Sequence, residues 1–312
     1  MKAALRRRVP PKYWSLARDS ARSGLRAIEN ALTTLMAGAL KVLPSGVSLD
    51  LRERLALQRP LDYAPALIAL RITSRLERDL RLRSCEKEPE TVEWIEQTFK
   101  PGDVLYDIGA NVGAYALIAA QSTRGNATVY AFEPGYATFP NLVANIFLNR
   151  WSEAIIPFPV ALGAKTALME FHYATLDAGG AMHAGLADAG TTASTIRKQT
   201  LPSYRLDDFV ELLRLQSPTH MKIDVDGGEL RVLQGGARML ESPNLRWILI
   251  EIDTAGNHAQ DIRNFLMGYG FNLKSDHAHA GGTTHNWIFT RQGLSPMASA
   301  VPDVPASDVE DR

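Results

Sequence analysis

The segment Val104-Leu105-Tyr106-Asp107-Ile108-Gly109-Ala110-Asn111-Val112-Gly113 decides the fold of this 312-residue chain. Its first five residues form a short apolar run after a Pro-Gly turn signal, which is typical of a buried parallel strand. Two glycines separated by three residues come next, and an apolar stretch typical of a helix follows them. The order strand, glycine turn and helix predicts the first βα unit of a nucleotide-binding sheet.

The glycine spacing argues against a pyrophosphate-binding loop. Gly109 and Gly113 make G-x-x-x-G, whereas NAD-binding sheets carry G-x-G-x-x-G. The next β-like run, residues 127–132, ends in Glu133, and a carboxylate at that position can accept two hydrogen bonds from ribose hydroxyls. Glycine lets the backbone approach a ligand closely, and a helix start presents free N–H groups. The site therefore suits a nucleoside without phosphates, such as S-adenosylmethionine (SAM).

Five segments of the chain resemble the FkbM-type SAM-dependent methyltransferases and occur in the family's order: Asp107–Gly113, Phe132–Pro134, Leu206–Phe209, Lys222–Gly227 and Glu229–Gly235. The resemblance implies a Rossmann-like, seven-stranded α/β sheet of the SAM-methyltransferase type with helices on both faces, preceded by a helical N-terminal extension. It also implies methyl transfer from SAM to a hydroxyl of a small molecule, because family members often act on sugars or polyketide-type secondary metabolites. The family usually has Glu where Asp226 stands, which argues against a direct catalytic role for that position.

The predicted cofactor-binding residues follow the first three strands of the sheet. They are Asp107, Gly109, Ala110, Asn111, Gly113, Glu133, Pro134, Ala161 and Leu162. In this architecture Ala161 and Leu162 would lie beside the adenine, and a plain strand-end turn is the alternative interpretation of that segment.

The predicted catalytic residues follow from the rule that ligands bind at the carboxyl ends of parallel strands. Asp224 ends the fourth strand next to the expected methyl group, so it is the first candidate for a general base. Lys222 lies two residues earlier on the same face and could orient the acceptor or stabilise an alkoxide. The alternative for Lys222 is an ion pair with a carboxylate such as Glu251. His258, just past the fifth strand, is a further candidate.

A metal site is a weaker interpretation of the same edge. Asp224 and Asp253 could hold Mg²⁺ with the acceptor's oxygens, but two carboxylates do not define a site, and we predict no resident metal. The H-x-H pair His277 and His279, together with His285, could bind a transition metal. Surface histidines are the simpler interpretation of this group, and one of them acting as a general base is the alternative.

Two shorter patterns also carry predictions. Asp226 precedes Glu229 by three residues, which is the spacing of a helix N-cap and predicts a structural role for Asp226. Residues 164–206 contain many small residues and read as an insertion or lid before the fourth strand. We expect its members His172, Tyr173 and His183 to be solvated.

The chain divides by composition into a basic helical region, residues 1–87, a methyltransferase domain, residues 88–291, and a disordered tail, residues 292–312. Residues 1–88 hold 18 Lys and Arg against 9 Asp and Glu. Apolar residues at helical spacing predict an amphipathic helix through residues 25–43, and helices are also expected over 51–58 and 66–82. This region could be a cap on the catalytic domain, a dimerisation arm or a contact to a membrane surface.

Overall composition excludes several classes. The net charge is zero, which argues against nucleic-acid binding. Cys85 is the single cysteine, so the sequence favours a reducing compartment, and no run of about 18 apolar residues exists. We therefore expect a cytoplasmic protein, with peripheral membrane contact and a homodimer as open options. Two alternative functions are a non-catalytic SAM-binding scaffold and an NAD-dependent oxidoreductase.

Overall fold

The computed structural model describes residues 11–173, 177–179, 184–185, 197–256, 258–279 and 282–291, with side chains from residue 27 onward except those of residues 52, 184 and 185. The predicted tail and His183 lie outside these described residues. Contacts divide the chain into two units, Met1–Ala56 and Leu57–Arg312. None of the described helices is both long enough and apolar enough to cross a membrane.

The described residues of the first unit form two helices, α1 (Pro11–Val42) and α2 (Ser45–Arg54). The predicted amphipathic helix is therefore confirmed. Its apolar stripe is exposed within this unit, with Ile28, Leu32 and Leu35 each more than half accessible.

The second unit opens with a β-hairpin where sequence periodicity had predicted a helix over residues 66–82. Strands β1 (Leu57–Pro60) and β2 (Ala69–Ile72) pair antiparallel, and helix α3 (Arg75–Asp79) follows with a Ser74–Glu77 capping box. The helix prediction was right for Arg75–Asp79 and wrong for Ala69–Ile72, because Leu70 and Ile72 alternate into the core of the unit, which is the period of a strand. This packing is also why the contact boundary falls after Ala56 instead of after residue 87.

The centre of the second unit is a mixed sheet to which, among the described residues, seven strands contribute. They are β3 (Val104–Ile108), β4 (Thr128–Phe132), β5 (Ile155–Phe158), β10 (His220–Ile223), β11 (Trp247–Asp253), β12 (Asn272–Ala278) and β13 (Thr284–Thr290). The strand order is β12-β13-β11-β10-β3-β4-β5, and β13 runs antiparallel to both of its neighbours. The predicted fold class is confirmed.

Helices cover both faces of this sheet and bury two separate apolar cores. In one core, Leu105, Leu249 and Ile288 of the sheet pack against helices α5 (Pro89–Thr98), α6 (Ala114–Ser122) and α7 (Phe139–Leu148). The short helix α4 (Ser84–Lys87) precedes α5 in the chain. The other core packs the alternate strand residues against α8 (Leu206–Leu213), α9 (Glu229–Gly235), α10 (Ala237–Glu241) and α11 (His258–Gly268). The α5–α6 face is the one that carries the polar residues described below.

The insertion forms a second, smaller sheet beside the first. Its described strands are β6 (Ala161–Leu162), β7 (Ala167–Tyr173), β8 (Ala184–Gly185) and β9 (Arg197–Tyr204), in the order β6-β9-β7-β8. Strands β7 and β9 pair antiparallel. The expectation of a solvated Tyr173 was wrong, because it is 2% exposed and its hydroxyl donates to Gln199 Oε1 (2.6 Å). His172 is half-buried.

Candidate active site

The glycine turn after β3 lies against the ends of two neighbouring strands. Gly109 has φ +84°, and a Cβ there would meet the backbone oxygen of Asp224 at 1.8 Å, so glycine is required. The N–H groups of Gly109 and Ala110 both donate to Phe132 O (2.9 Å). Gly113, with φ +87°, precedes α6. The turn therefore presents bare backbone at the carboxyl edge of the sheet.

Glu133 follows β4 and is held beside this turn. It is 6% exposed, and its two carboxylate oxygens accept from Asn111 N (2.9 Å) and Gly135 N (2.7 Å). Burial raises the pKa of Glu133 to about 7, and the two backbone donors oppose that rise. Each carboxylate oxygen has further lone pairs, so Glu133 can still accept hydrogen bonds from a ligand. Pro134, next in the chain, is half-buried.

Asp107 is a buried carboxylate with few donors among the described residues, where the backbone N–H of Ala116 and the ammonium of Lys222 are close enough to lower its pKa. It is 1% exposed, and neither oxygen accepts a hydrogen bond of ordinary geometry from any described residue. Burial raises its pKa to about 6, while the ammonium of Lys222, its cross-strand neighbour, opposes the rise. A buried carboxylate with so few donors is costly, so Asp107 is suited to receive a cationic or hydrogen-bonding ligand group.

Lys222 and Asp224 form an ion pair on the same face. Lys222 Nζ lies 3.0 Å from Asp224 Oδ2, and its side chain is 2% exposed. The ammonium also lies 5.1 Å from the centre of the Tyr115 ring. Burial alone would raise the pKa of Asp224, but the adjacent ammonium holds it below its usual value. The alternative of an ion pair for Lys222 is borne out, with Asp224 as partner instead of Glu251.

Two further carboxylates, Glu88 and Glu251, lie near this ion pair. Glu88, just before α5, is 2% exposed and accepts from Lys87 Nζ (2.6 Å). Glu251 is on β11, and burial, followed by repulsion from Asp224 and Glu88, raises its pKa to about 8. The sequence indicated Glu251 only as an alternative partner for Lys222 and did not predict Glu88 as part of the site, because the only local feature of Glu88 is its position at a helix start.

His279 was expected on the surface, and that prediction was wrong. Its side chain is 14% exposed, with Nε2 3.8 Å from Glu90 Oε1 and Nδ1 3.8 Å from Glu251 Oε2. The end of β12 carries it over the carboxyl edge of β11. His285, by contrast, pairs with Asp276 (2.6 Å) on the same hairpin.

Two candidates lie outside the buried group. Asp253 is exposed, and its Oδ1 accepts from Ala255 N (3.0 Å), so the structure does not bring it to Asp224 as a Mg²⁺ ligand. His258 is exposed at the first residue of α11.

The capping prediction for Asp226 was wrong. The N-cap of α9 is Gly228, and Asp226 has φ +53°. Glu229 satisfies the turn instead, because its Oε1 accepts from Gly227 N (2.9 Å) and Val225 N (3.3 Å).

Ala161 and Leu162 form β6 and pair in parallel with Ser203 and Tyr204. Gly163 N continues this pairing by donating to Tyr204 O (2.9 Å). A contact of Ala161 and Leu162 with adenine stays a prediction.

The residues at this edge fit an adenosine that carries a cation. Gly109 packs so closely on the backbone oxygen of Asp224 that only glycine fits, which holds the turn against the strand edge. Glu133 offers lone pairs to ribose hydroxyls, and the oxygens of Asp107 accept no hydrogen bond of ordinary geometry from the described residues. The sulfonium and amino groups of SAM are of the kind such a carboxylate would stabilise.

Comparison with known proteins identifies the family. The profile of the Methyltransferase FkbM domain matches residues 107–273, more than half of the chain. The chain belongs to the FkbM family of methyltransferases. The predicted family resemblance is thus confirmed, and the matched segment begins at Asp107 and includes Glu133, Lys222, Asp224 and Glu251.

Two characterised relatives and two solved structures are similar to this FkbM-family chain. The hexuronic acid methyltransferase AglP of Haloferax volcanii is 30% identical over 68% of this chain and 81% of its own. The 31-O-demethyl-FK506 methyltransferase FkbM of Streptomyces tacrolimicus is 29% identical over 60% of this chain and 80% of its own. Among structures, the precorrin-6y C5,15-methyltransferase of Geobacter metallireducens covers 67% of this chain and 88% of its own, at 14% identity and TM-score 0.40. The m1A22 tRNA methyltransferase TrmK of B. subtilis covers 65% of each, at 11% identity and TM-score 0.39.

Proposed function

We propose that this protein transfers the methyl group of SAM to a hydroxyl oxygen of a small molecule, a sugar or a polyketide-like metabolite. The observation that carries the proposal is the buried Lys222–Asp224 ion pair, which follows the same strand edge as the glycine turn at Gly109. The two characterised relatives are named for methylation of a hexuronic acid and of an FK506 derivative. Both acceptors belong to the proposed classes.

The binding of SAM is assigned to the glycine turn and the two carboxylates beside it. Glu133 would accept hydrogen bonds from the ribose hydroxyls, since its side chain is already oriented by Asn111 N and Gly135 N. Asp107 would face the positive end of the cofactor. When bound, SAM supplies a methyl group on a sulfonium, which is already activated as a leaving group.

The protein's own residues then align the acceptor and accept its proton. Asp224 is ionised at neutral pH because Lys222 lowers its pKa, so its carboxylate can accept the hydroxyl proton as the oxygen attacks in line. A positioned base contributes roughly 10²–10⁴-fold to the rate. Lys222, 2% exposed, orients that carboxylate and stabilises negative charge on the acceptor oxygen.

The local charge favours a hydroxyl over a carboxylate as the methylated group. Among the described residues, four carboxylates occupy this part of the α5–α6 face and its rim, and three cations oppose them. The carboxylates are Glu88, Asp107, Asp224 and Glu251, and the cations are Arg81, Lys87 and Lys222. An anionic group entering here would be repelled. We therefore propose hydroxyl methylation even for an acceptor that is itself a uronic acid.

The deciding experiment is incubation of the purified protein with methyl-labelled SAM and a panel of sugars, uronic acids and macrolide-type alcohols. Labelled product, identified by mass as a methyl ether, is expected. A methyl ester would refute the hydroxyl assignment. Binding of the demethylated cofactor S-adenosylhomocysteine (SAH) without any labelled product would favour the scaffold alternative, and NADH binding would favour an oxidoreductase.

We propose further that the protein works in the cytoplasm, with its N-terminal helices at an anionic membrane surface. The support is an exposed apolar stripe on α1, with Ile28 59% and Leu35 71% accessible, in a region of the chain rich in arginine. Apolar burial with electrostatic attraction drives such binding. Sedimentation with anionic but not zwitterionic vesicles is expected. A protein that dimerises through residues 1–56 and ignores both vesicles would refute this placement.

A further inference from the structure

Three potential metal ligands converge at the rim of the candidate active site. Glu88 comes from the segment before α5, Glu251 from β11 and His279 from the end of β12. Each offers one ligand atom, and these atoms all lie within 4.8 Å of one another. Nδ1 of His279 is 3.8 Å from Glu251 Oε2. Three separate chain segments thus contribute one nitrogen and two carboxylate oxygens.

A second observation comes from a buried side chain that faces this group from β13. Asn286 is 1% exposed and is the register partner of Glu251 on the neighbouring strand. Its amide nitrogen donates to Glu90 Oε1 (2.7 Å) and more weakly to Glu88 Oε2 (3.4 Å). Its Oδ1 is buried without a hydrogen-bond partner in the described part of the chain. Such an orphaned acceptor is unfavourable unless something binds it.

The same condition holds for one nitrogen of the imidazole. His279 Nε2 has no accessible surface and makes no hydrogen bond to any residue that the structure describes. The nearby carboxylates Glu88 and Glu251 are opposed by the ammonium groups of Lys87 and Lys222, and Lys222 is also paired with Asp224. With Nδ1 directed to Glu251 Oε2, Nε2 carries the imidazole proton and faces Glu90 Oε1. Nδ1 of His279 and Oδ1 of Asn286 therefore offer lone pairs beside two carboxylates, which is the property of a cation site.

We propose that Glu88, Glu251 and His279 bind a divalent metal ion, with Asn286 Oδ1 as an additional oxygen ligand. Metal–nitrogen and metal–oxygen bonds of about 2.0–2.2 Å place neighbouring ligands roughly 3–4 Å apart. The 3.8 Å between His279 and Glu251 already meets that requirement. A mixed set of imidazole and carboxylate ligands suits Mn²⁺ or Zn²⁺ better than Mg²⁺.

The site would act on the acceptor, an assignment that rests on the proposed methyl transfer. Glu251 lies on the same sheet face as the Lys222–Asp224 pair, and Asp224 is close enough to raise the pKa of Glu251. An ion held by Glu251 could coordinate a hydroxyl oxygen of the acceptor and favour its deprotonation. Metal binding itself requires no acceptor and can be measured alone.

The test is titration of Mn²⁺ into the full-length protein after chelator treatment, followed by calorimetry and by electron paramagnetic resonance of free Mn²⁺. One ion per chain is expected. Glu251→Gln, which keeps the side-chain shape, and His279→Ala should each weaken binding by at least about tenfold. Asp253→Asn on the same strand is the matched control and should leave the Kd unchanged, because Asp253 is exposed and outside the group.

Retained SAH affinity and an unchanged circular dichroism spectrum will show that the variants are folded. Absence of binding up to about 1 mM Mn²⁺, or an unchanged Kd in both variants, would overturn the site and leave His279 as a simple partner of Glu90 and Glu251. Methyl transfer that continues in chelator, with no Mn²⁺ bound, would refute the role of the metal on the acceptor while supporting the proposed function. Stoichiometric Mn²⁺ binding without methyl transfer would support the metal and refute its role on the acceptor.

Discussion

Replacing Lys222 with methionine should destabilise the protein severely. The side chain is 2% exposed, pairs with Asp224 at 3.0 Å and stabilises the charges of Asp107 and Glu88. Methionine fills a similar volume without the charge, so the main effect is electrostatic. Removing one partner of a buried ion pair costs about 3–5 kcal/mol.

We expect the lower end of that range, because the Asp224 side chain is 24% exposed and keeps some contact with solvent. A loss of about 3 kcal/mol lowers the melting temperature by roughly 6–12 °C for a domain of this size. Urea unfolding followed by circular dichroism measures the free-energy difference directly.

The deficit must also depend on pH. Without the ammonium, the folded-state pKa of Asp107, already raised to about 6, rises further, and that of Asp224 rises above its unfolded value, so these groups destabilise the variant once ionised. The sign follows from linkage: the difference in unfolding free energy between the wild type and the variant is small near about pH 4 and grows as the pH rises. In the wild type, the lowered pKa of Asp224 makes the opposite contribution, which is present above its unfolded pKa and lost as pH falls.

The double variant Lys222→Met/Asp224→Asn removes the orphaned charge and should recover part of the lost stability. If Lys222→Met alone lowers the free energy of unfolding by less than about 1 kcal/mol, which is the loss typical of an ordinary point substitution, this reasoning is refuted. A deficit that is the same at acidic and alkaline pH would also refute it.

Three further changes test the site. Glu133→Gln should weaken SAH binding roughly 10- to 100-fold, as expected for charge-assisted hydrogen bonds. In the unaltered protein, SAH affinity should fall as the pH is lowered from about 8 to about 6, because Glu133 becomes protonated. Calorimetry that finds equal SAH affinities for the variant and the unaltered protein would remove the ribose assignment. Asp224→Asn should lower kcat by about 10²–10⁴-fold with little change in SAH affinity, and an unchanged turnover of labelled SAM would contradict its role as base. Gly109→Ala should abolish SAH binding or lower the melting temperature, because its Cβ would lie 1.8 Å from Asp224 O, and a variant with wild-type melting and binding would contradict the turn geometry.

Much of the part of the site that we propose for the cofactor could be predicted from local sequence. The strand expected at residues 104–108 is the strand observed, because a five-residue apolar run between a turn and a glycine leaves few alternatives. One topological rule, that the carboxyl ends of parallel strands share an edge, placed Asp107, Glu133, Lys222 and Asp224. Such inferences need only residues that are adjacent in the chain and the two-residue alternation of a strand.

The remaining assignments depended on contacts between distant parts of the chain. The strand β2 was missed because arginines at helical spacing concealed the fact that Leu70 and Ile72 face a core made elsewhere, and strand preference depends on such context.

Sequence alone determined the sheet, the glycine turn and the carboxylates that follow the strands, because each is specified by residues adjacent in the chain. Only the tertiary structure brought Glu88, Glu251, His279 and Asn286 together, since they are supplied by three strands and a helix start. The physical reason is that alternation along one strand fixes which face a side chain occupies, whereas its neighbours on that face are set by strand order and register.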